Sequence, residues 1–272
     1  MPALQSCRGV TALVTGASSG LGRLLAVRFA REGAKAVALV ARRTDLLEDV
    51  AREVAAAGAE PLVLACDVAE RAAVFAAAER ALAKLGAVDV LVCNAGYGRH
   101  RRFVDWDLDD IERMVQVNFL GTVYWTKAIL PSMVARRRGW VVFMASVAGK
   151  LGVPLESVYA ASKFAMVGLA EAVSVEVEDD GVHILTVCPG AIRTPFFGPE
   201  ELANMPPIAL RSMIEPGPVI DAVMRGLRQG KREVTVPRSI AVAYLVRVVA
   251  SGFLRRSTKR LTVDAMPRTP PA

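Results

Sequence analysis

The sequence predicts a doubly wound α/β fold, in which helices cover both faces of a parallel sheet. Three observations predict it. Short apolar runs alternate with Ala-rich helical segments, these runs lack the polar alternation of half-exposed strands, and 272 residues with 53% hydrophobic side chains can bury one large core. A strand that is apolar on both faces needs a cover on each face, which the intervening helices supply. We therefore expect a single globular domain.

Seven apolar runs rich in β-branched residues are the predicted strands, and they cover residues 10–16, 36–41, 61–68, 88–96, 140–146, 183–190 and 233–237. A helix follows the first run, and further helices are predicted over residues 44–57, 70–85, 109–137, 157–179 and 217–229. Four glycines lie where a left-handed residue would close a helix, namely Gly58, Gly86, Gly139 and Gly181.

The composition excludes several classes of protein. The apolar content excludes a disordered chain, and 21 glycines and 15 prolines are too few for a fibrous repeat. The four cysteines are far apart and form no CxxC pair, and there are only two histidines. We therefore expect no disulfide framework, no metal site and no Ser-His-Asp triad.

The net charge of +7 is concentrated at the C-terminal end. Residues 225–272 hold eleven Lys and Arg against Glu233 and Asp264, a local charge of +9. Such an end can meet nucleic acid or an anionic membrane, or it can be a solvated face. No nucleic-acid motif accompanies it, so no nucleic-acid partner is expected. The N-terminus lacks a signal-peptide pattern and no apolar run reaches spanning length, which predicts a cytoplasmic protein.

The first predicted strand runs directly into the glycine-rich segment TGASSGLG, residues 15–22, and a helix follows. Gly16 allows a tight turn, Gly20 allows backbone to approach a pyrophosphate, and Gly22 allows close helix packing. The N-terminus of the helix presents free N–H groups to phosphate. The segment therefore predicts a dinucleotide site, with a purely structural turn as the alternative. Its other candidate contacts are Ser18, Ser19 and Leu21.

Two arginines follow the second strand, where a carboxylate would bind the ribose hydroxyls of NAD. Arg42 and Arg43 stand there instead, and adjacent guanidinium groups can hold a 2′-phosphate. The pair therefore favours NADP(H), unless it is only part of a solvated loop. Asp67 and Val68 close the third strand, where a carboxylate can accept a hydrogen bond from adenine.

A second group of polar residues lies further along the chain. Tyr159 and Lys163 are four residues apart in a predicted helix and share one face, and a nearby cation lowers the pKa of a tyrosine. Ser146 follows the fifth strand, at the edge of the sheet where doubly wound folds bind ligands, and its hydroxyl can polarise a carbonyl. Asn118 completes the group. A tyrosine at an interface beside a surface lysine is the alternative.

Together these motifs resemble the short-chain dehydrogenase/reductase family, in its single-domain, NADP-preferring branch. The resemblance covers residues 8–237, and it is carried by TGASSGLG (15–22), NAG (94–96), Asn118, Ser146, YAASK (159–163) and PGAIRT (189–194). It implies a Rossmann-type fold with a seven-stranded parallel sheet. It also implies an NAD(P)-dependent oxidoreductase that interconverts a ketone and a secondary alcohol. A cofactor-binding regulatory or scaffold protein without turnover is the alternative function.

The resemblance also implies a role for each matching residue. Tyr159 is the general acid/base, Ser146 positions the carbonyl, and Lys163 lowers the pKa of the tyrosine and holds the nicotinamide ribose. Asn118 supports a water relay to Lys163. The remaining positions would form the cofactor wall or orient the nicotinamide, and they are Asn94, Ala95, Gly96, Pro189, Gly190, Ile192 and Thr194. The family pairs long helices between subunits, so residues 109–137 and 157–179 predict a homodimer or homotetramer.

The family resemblance says least about the substrate and about the C-terminal end of the chain. Residues 195–218 occupy the family's substrate loop and are apolar, which predicts a lipophilic ketone or alcohol, such as a 3-keto lipid like 3-ketosphinganine or a steroid-like ketone. Tyr97, Val147, Leu151 and Val153 would extend this lining.

We expect a domain over residues 1–238 and an apolar, basic extension over 239–272, with a helix at 239–254. Residues 239–261 would make peripheral contact with a membrane, pack on a subunit or cover the cleft.

Overall fold

The computed structural model describes residues 3–266 and contains a seven-stranded sheet in the order β3-β2-β1-β4-β5-β6-β7. Every neighbouring pair of strands is parallel. The strands are β1 Thr11–Thr15, β2 Ala36–Ala41, β3 Glu60–Ala65, β4 Val90–Cys93, β5 Gly139–Met144, β6 Val182–Pro189 and β7 Glu233–Val236. This order confirms the predicted doubly wound α/β fold. Each strand lies within its predicted run or begins one residue before it.

Helices cover both faces of this sheet. They are α1 Gly20–Arg31, α2 Thr44–Ala56, α3 Arg71–Leu85, α4 Leu108–Val115, α5 Gly121–Ala135, α6 Ser157–Glu176, α7 Pro199–Ala203, α8 Pro207–Arg211, α9 Gly217–Arg228, α10 Ala241–Val249 and α11 Ser251–Leu261. Successive residues of β1 serve opposite faces: Val14 packs in a core with α1, α2 and α9, whereas Leu13 packs in a core with α3, α5 and α6. This two-sided burial explains the continuous apolar strands.

The strand order reverses beside β1, which lies between β2 and β4. Connections on the two sides of this point leave in opposite directions, so a crevice opens at the carboxyl ends of the strands. The segments that follow β1, β2, β4, β5 and β6 meet there. The fold thus brings together motifs that lie far apart in the sequence.

Two local predictions are wrong. The helix predicted over residues 109–137 is two helices, α4 and α5, joined by the π-helical turn Gln116–Leu120. Gly139 begins β5 instead of closing a helix, and Arg137 takes the left-handed conformation in its place, with φ +50°. A Cβ at Gly139 would lie 2.5 Å from the side chain of Met133, so this glycine serves close packing and not a positive φ.

The prediction of one helix in the C-terminal extension is also wrong. The helix expected over residues 239–254 is interrupted at Ala250, where φ is −143° and ψ is 49°, so α10 and α11 are separate helices. Arg247 of α10 donates to the carbonyl of Lys150, and its guanidinium lies 5.0 Å from the ring of Phe164. Residues 267–272 of the predicted extension lie outside the described residues.

Several expectations about the whole protein stay predictions. They are the domain boundary after residue 238, assembly into a dimer or tetramer, and a cytoplasmic location. Within the described range, one helix has the length and apolar composition of a membrane span, namely α6, and half of that apolar window is buried inside the protein. Since α6 also carries Tyr159 and Lys163, its apolar character serves the core.

Candidate active site

A cleft of about 770 Å³ lies at the carboxyl edge of the sheet. Most of the predicted site residues line it: Gly16, Ser18, Ser19, Gly20, Leu21, Arg42, Arg43, Asp67, Val68, Asn94, Ala95, Gly96, Ser146, Tyr159, Lys163, Pro189, Gly190, Ile192 and Thr194. Gly22 and Asn118 do not line the cleft and are buried behind it. One cavity therefore joins the glycine-rich turn to the Ser-Tyr-Lys group.

The glycine-rich turn packs too closely for side chains. Gly16 has φ +66°, and a Cβ there would lie 2.9 Å from the Cα of Ala95. A Cβ at Gly22 would lie 2.2 Å from the carbonyl oxygen of Gly16. Helix α1 begins at Gly20, and the side chain of Ser19 makes no capping hydrogen bond. The first N–H groups of α1 therefore face the cleft uncapped, as phosphate binding requires.

Asn94 fastens this turn to the end of β4. Its side-chain amide donates to the carbonyl of Thr15 at 3.0 Å. The hydroxyl of Thr15 in turn accepts from the backbone N–H groups of Asn94 and Ala95, at 2.9 and 3.0 Å. These bonds hold the ends of β1 and β4 together and form one wall of the cleft.

The two arginines after β2 have different surroundings. Arg43 donates to the hydroxyls of Ser18 and Ser19, at 3.2 and 3.4 Å, and so reaches back to the glycine-rich turn. Arg42 is 71% exposed and lies 3.9 Å from Asp67. The carboxylate of Asp67 is shared with Arg113 and with the N–H of Ala69. Both oxygens of Asp67 thus accept hydrogen bonds within the protein. The predicted hydrogen bond from adenine to this carboxylate would compete with these partners.

Ser146, Tyr159 and Lys163 converge between β5, β6 and α6. Lys163 donates to the carbonyl of Met144 at 2.8 Å, and its ammonium lies 5.7 Å from the centre of the Tyr159 ring. The hydroxyl of Ser146 accepts from the N–H of Ala148 at 3.1 Å and donates to the carbonyl of Pro189 at 3.4 Å. The i,i+4 spacing on α6 and the end of β5 thus place all three at the same point of the cleft.

Burial dominates the protonation of this group. Desolvation raises the pKa of Tyr159, the charge of Glu156 raises it further, and the Ser146 hydrogen bond opposes the shift. Desolvation lowers the pKa of Lys163 to about 8. The expected lowering of the tyrosine pKa by Lys163 is thus absent from the protein alone, because loss of hydration disfavours the phenolate and Lys163 is not among the groups that shift this pKa.

Asn118 lies in the π-helical turn and is completely buried. Its side-chain oxygen accepts from the N–H of Tyr97 at 3.0 Å, and its amide donates to the Tyr97 carbonyl at 2.9 Å and to Ser162 at 3.2 Å. A Cβ at Gly96 would lie 3.0 Å from the Asn118 oxygen and 3.7 Å from the Lys163 ammonium. The missing side chain of Gly96 leaves the space between them free.

The substrate side of the cleft is largely apolar. Phe196 meets the ring of Tyr159 edge-on at 5.9 Å between ring centres, and Phe197 meets Phe196 at 4.9 Å. The other apolar lining residues include Tyr97, Val147, Val153, Met205, Pro206 and Ala209, whereas Leu151 lies outside the lining.

The polar lining residues that sequence analysis missed include His100 and Glu156, together with the charged residues Arg99, Asp110 and Arg113. No local motif marks any of them, and only the three-dimensional packing brings them together.

The fold and the cleft define an oxidoreductase with a Rossmann-type domain. Comparison with known proteins agrees: the short chain dehydrogenase family model matches residues 10–204. Oxidoreductase UcpA of Escherichia coli is 40% identical over 188 residues, which cover 69% of this chain and 71% of that protein. The chain therefore belongs to the short-chain dehydrogenase family.

Solved structures resemble the chain as well. A metagenomic short-chain oxidoreductase in complex with NADP matches with a TM-score of 0.72 and 32% identity, over 84% of this chain and 97% of that one. A short-chain dehydrogenase/reductase from Burkholderia phymatum in complex with NAD shares the fold with a TM-score of 0.83, at 24% identity, over 98% of this chain and 99% of that one. The second match extends over the C-terminal helices.

The buried ammonium of Lys163 predicts a measurable effect on stability. We expect Lys163→Met to raise the free energy of unfolding at pH 7 by about 1–3 kcal/mol, because an unpaired buried charge is removed. The unfolded chain holds this proton up to the ordinary lysine pKa of 10.5, whereas the folded chain releases it near 8. The parent therefore gains stability from this group as pH rises through that window, and the advantage of the variant shrinks.

Urea unfolding of parent and variant at pH 7 and pH 9.5 measures this effect. Buried cysteine thiols also have raised pKa values, but their contribution is common to both proteins and cancels in the difference. Lys127→Met on an exposed position of α5 is the control and should stay within about 0.5 kcal/mol of the parent. A Lys163→Met variant that is less stable by the same amount at both pH values would contradict the assignment.

Proposed function

We propose that this protein is an NADP(H)-dependent oxidoreductase that interconverts a lipophilic ketone and the corresponding secondary alcohol. One observation carries the proposal: Ser146, Tyr159 and Lys163 meet in the same cleft as an uncapped, glycine-rich helix N-terminus. The first group suits proton transfer to a carbonyl oxygen, and the second suits the phosphates of a dinucleotide. A dinucleotide bound there would supply or accept the hydride.

The chain's own residues divide the remaining work. Tyr159 is protonated at neutral pH, as an ordinary tyrosine is, and burial raises its pKa further. A protonated phenol is the form that can donate to the oxygen of a ketone during reduction. The Ser146 hydroxyl, which lines the same cleft, would hold the same oxygen. Lys163, anchored on Met144, would bind a ribose hydroxyl and favour the phenolate left after transfer. Asn118 would hold a water in the space beside Gly96.

Arg43 and Ser18 support the choice of NADP(H). A guanidinium beside two hydroxyls at the glycine-rich turn offers several donors to a 2′-phosphate, and no carboxylate at the end of β2 repels it. Among the structural relatives, one was solved with NADP and another with NAD. The preference is thus a property to be measured on this chain.

The aromatic wall supports a lipophilic substrate. Phe196 and Phe197 continue from Tyr159 into a lining of further apolar side chains. Burying apolar substrate surface contributes about 25 cal/mol per Å², so such a wall favours hydrocarbon-rich ketones over sugars. A 3-keto lipid such as 3-ketosphinganine, or a steroid-like ketone, is the proposed class.

The C-terminal helices support peripheral contact with a membrane. The exposed large apolar residues of α10 and α11 include Val242, Leu245, Val248, Val249 and Phe253, and four exposed cations follow: Arg255, Arg256, Lys259 and Arg260. We call these nine residues the C-terminal surface. Apolar side chains beside cations fit an anionic lipid interface. A second copy would bring like charges close together. Ile240 and Thr262, on either side of this surface, line the cleft.

Replacing the proposed proton donor tests the reaction. Tyr159→Phe should lower kcat for ketone reduction by about 10²–10⁴-fold, since proton transfer by a positioned side chain contributes that much. Binding of NADPH should change little. Steady-state kinetics with a panel of lipophilic ketones, together with fluorescence titration of NADPH, measure both effects. Tyr244→Phe, whose phenol bonds to Thr235 outside the cleft, is the control and should keep its activity. Near-parental turnover by Tyr159→Phe would rule out the mechanism.

Single substitutions test the cofactor preference. Arg43→Ala should raise the dissociation constant of NADPH by about 10–100-fold, as expected from the loss of a charge-assisted hydrogen bond. The dissociation constant of NADH should change much less. Arg42→Ala should have the smaller effect, because this residue is more exposed and partly occupied by Asp67. Dissociation constants of both nucleotides for the parent and the two variants give the comparison. Equal affinity of the parent for NADPH and NADH would refute the preference.

Vesicle co-sedimentation tests the C-terminal surface. The parent should bind anionic phosphatidylglycerol vesicles at low salt, bind less at high salt, and ignore phosphatidylcholine vesicles. Val248→Glu together with Phe253→Glu should abolish binding. Val175→Glu alters an equally exposed apolar residue on α6 and should not. If the parent fails to bind anionic vesicles and Val248→Glu instead dissociates an oligomer in light scattering, the surface belongs to a subunit interface.

A further inference from the structure

The reaction proposed above leaves one polar pair in the cleft unused. The Nε2 atom of His100 lies 2.8 Å from Oε1 of Glu156, and the two side chains are only 3% and 12% exposed. Both residues line the cleft, as do the aromatic residues Phe196 and Phe197. A buried polar pair in an apolar wall costs desolvation energy, which is offset only when its hydrogen bonds are satisfied.

Two separate loops hold this pair in place. His100 follows β4, and Glu156 immediately precedes α6. The N–H of Arg101 donates to the carbonyl of Leu155 at 2.7 Å and fastens the two loops together. Leu155 has φ +68°, a left-handed conformation that is strained for a residue other than glycine. Such strain persists only where surrounding contacts enforce it, and here it directs Glu156 toward His100.

One side of the His100 ring is left without a partner. Its Nδ1 atom is buried and makes no hydrogen bond to any described residue. Trp125 and His183 also have a buried nitrogen of this kind, but both lie in the packed core and neither lines the cleft. Among residues 3–266, Nδ1 of His100 is therefore the only buried, unpaired side-chain nitrogen that belongs to a cleft-lining residue. An unpaired buried nitrogen is destabilising, and a ligand group that bonds to it recovers that cost.

A row of aromatic rings connects His100 to Tyr159. The His100 ring lies 5.5 Å from Phe197, Phe197 lies 4.9 Å from Phe196, and Phe196 lies 5.9 Å from Tyr159, all between ring centres. These rings form one continuous wall from the phenol to the imidazole. A substrate whose carbonyl meets Tyr159 can therefore lay an apolar body along the two phenylalanines and end at His100.

We propose that His100, held by Glu156, is a recognition subsite for a hydroxyl group on the substrate. With Nε2–H donating to the Glu156 carboxylate, Nδ1 of the neutral ring carries a lone pair and accepts a hydrogen bond. A ligand group at this point must then donate, and a hydroxyl on an otherwise apolar ketone does so. This inference rests on the proposed ketone reduction and specifies its substrate class as apolar hydroxyketones.

Matched substrates and a shape-conserving variant test the subsite. A series of apolar ketones and their hydroxylated counterparts, of equal chain length and with the hydroxyl at successive positions, is assayed with NADPH. We expect the parent to prefer one hydroxyketone by at least about tenfold in kcat/KM, mainly through KM, in line with one hydrogen bond to a buried group. His100→Phe keeps a ring against Phe197 and should remove that preference, while the plain ketone keeps its kcat.

Two further variants separate recognition from structure. Glu156→Gln should reduce the preference, because the amide no longer fixes the donor and acceptor sides of the imidazole. His100→Asn, which retains an acceptor oxygen near the Nδ1 position, should restore part of what His100→Phe loses. Thermal unfolding and NADPH titration of each variant show whether the fold and the cofactor site are intact.

The outcomes distinguish a failure of the subsite from a failure of the proposed function. A parent that reduces plain ketones and every hydroxyketone equally well overturns the subsite and leaves the proposed function standing. A His100→Phe variant that keeps the preference overturns the subsite in the same way. A parent that reduces no ketone with either nucleotide overturns the proposed function. In that case, calorimetric titration of the hydroxyketones and plain ketones against parent and His100→Phe, with and without NADP⁺, still tests the subsite through binding.

Discussion

The close packing where β1 turns into α1 is the constraint on which the rest of the site depends. The carbonyl of Gly16 fills the space that a side chain at Gly22 would occupy, and the amide of Asn94 closes over the same turn. This contact fixes the direction of α1, and hence where its free N–H groups point. It also joins β1 to β4 at the reversal of the sheet, so that both halves of the cleft share one wall.

Burial then sets the chemistry of the opposite wall. Tyr159 and Lys163 lose hydration together, which raises the pKa of the phenol and lowers that of the ammonium. Each shift favours the neutral form of its group. A tyrosine that stays protonated would suit donation to a ketone oxygen in the proposed reduction. The lysine gains its function from position, since its hydrogen bond to Met144 fixes the ammonium between β5 and α6.

The outer part of the cleft is built from separate segments of the chain. Phe197 from the segment after β6 meets His100 from the loop after β4, and Ile240 and Thr262, which flank α10 and α11, also line the cleft. Arg247 interrupts the apolar sequence of α10 but bonds back to Lys150 and Phe164, which leaves an apolar outward face. Together with the proposed lipid contact and the proposed hydroxyl subsite, the aromatic wall would form a site for an amphipathic ketone.

The sequence by itself determined the fold class, the strands and the greater part of the cleft lining, because strand periodicity and motifs such as TGASSGLG and YAASK depend on neighbours close along the chain. It could not predict the π-helical turn at Asn118 or the break at Ala250, since both depend on what the helix packs against. It predicted the wrong sign for the Tyr159 pKa shift, because burial is a property of the whole fold. The pairing of His100 with Glu156, 56 positions apart, was likewise decided only by tertiary structure, where two loops meet at one edge of the sheet.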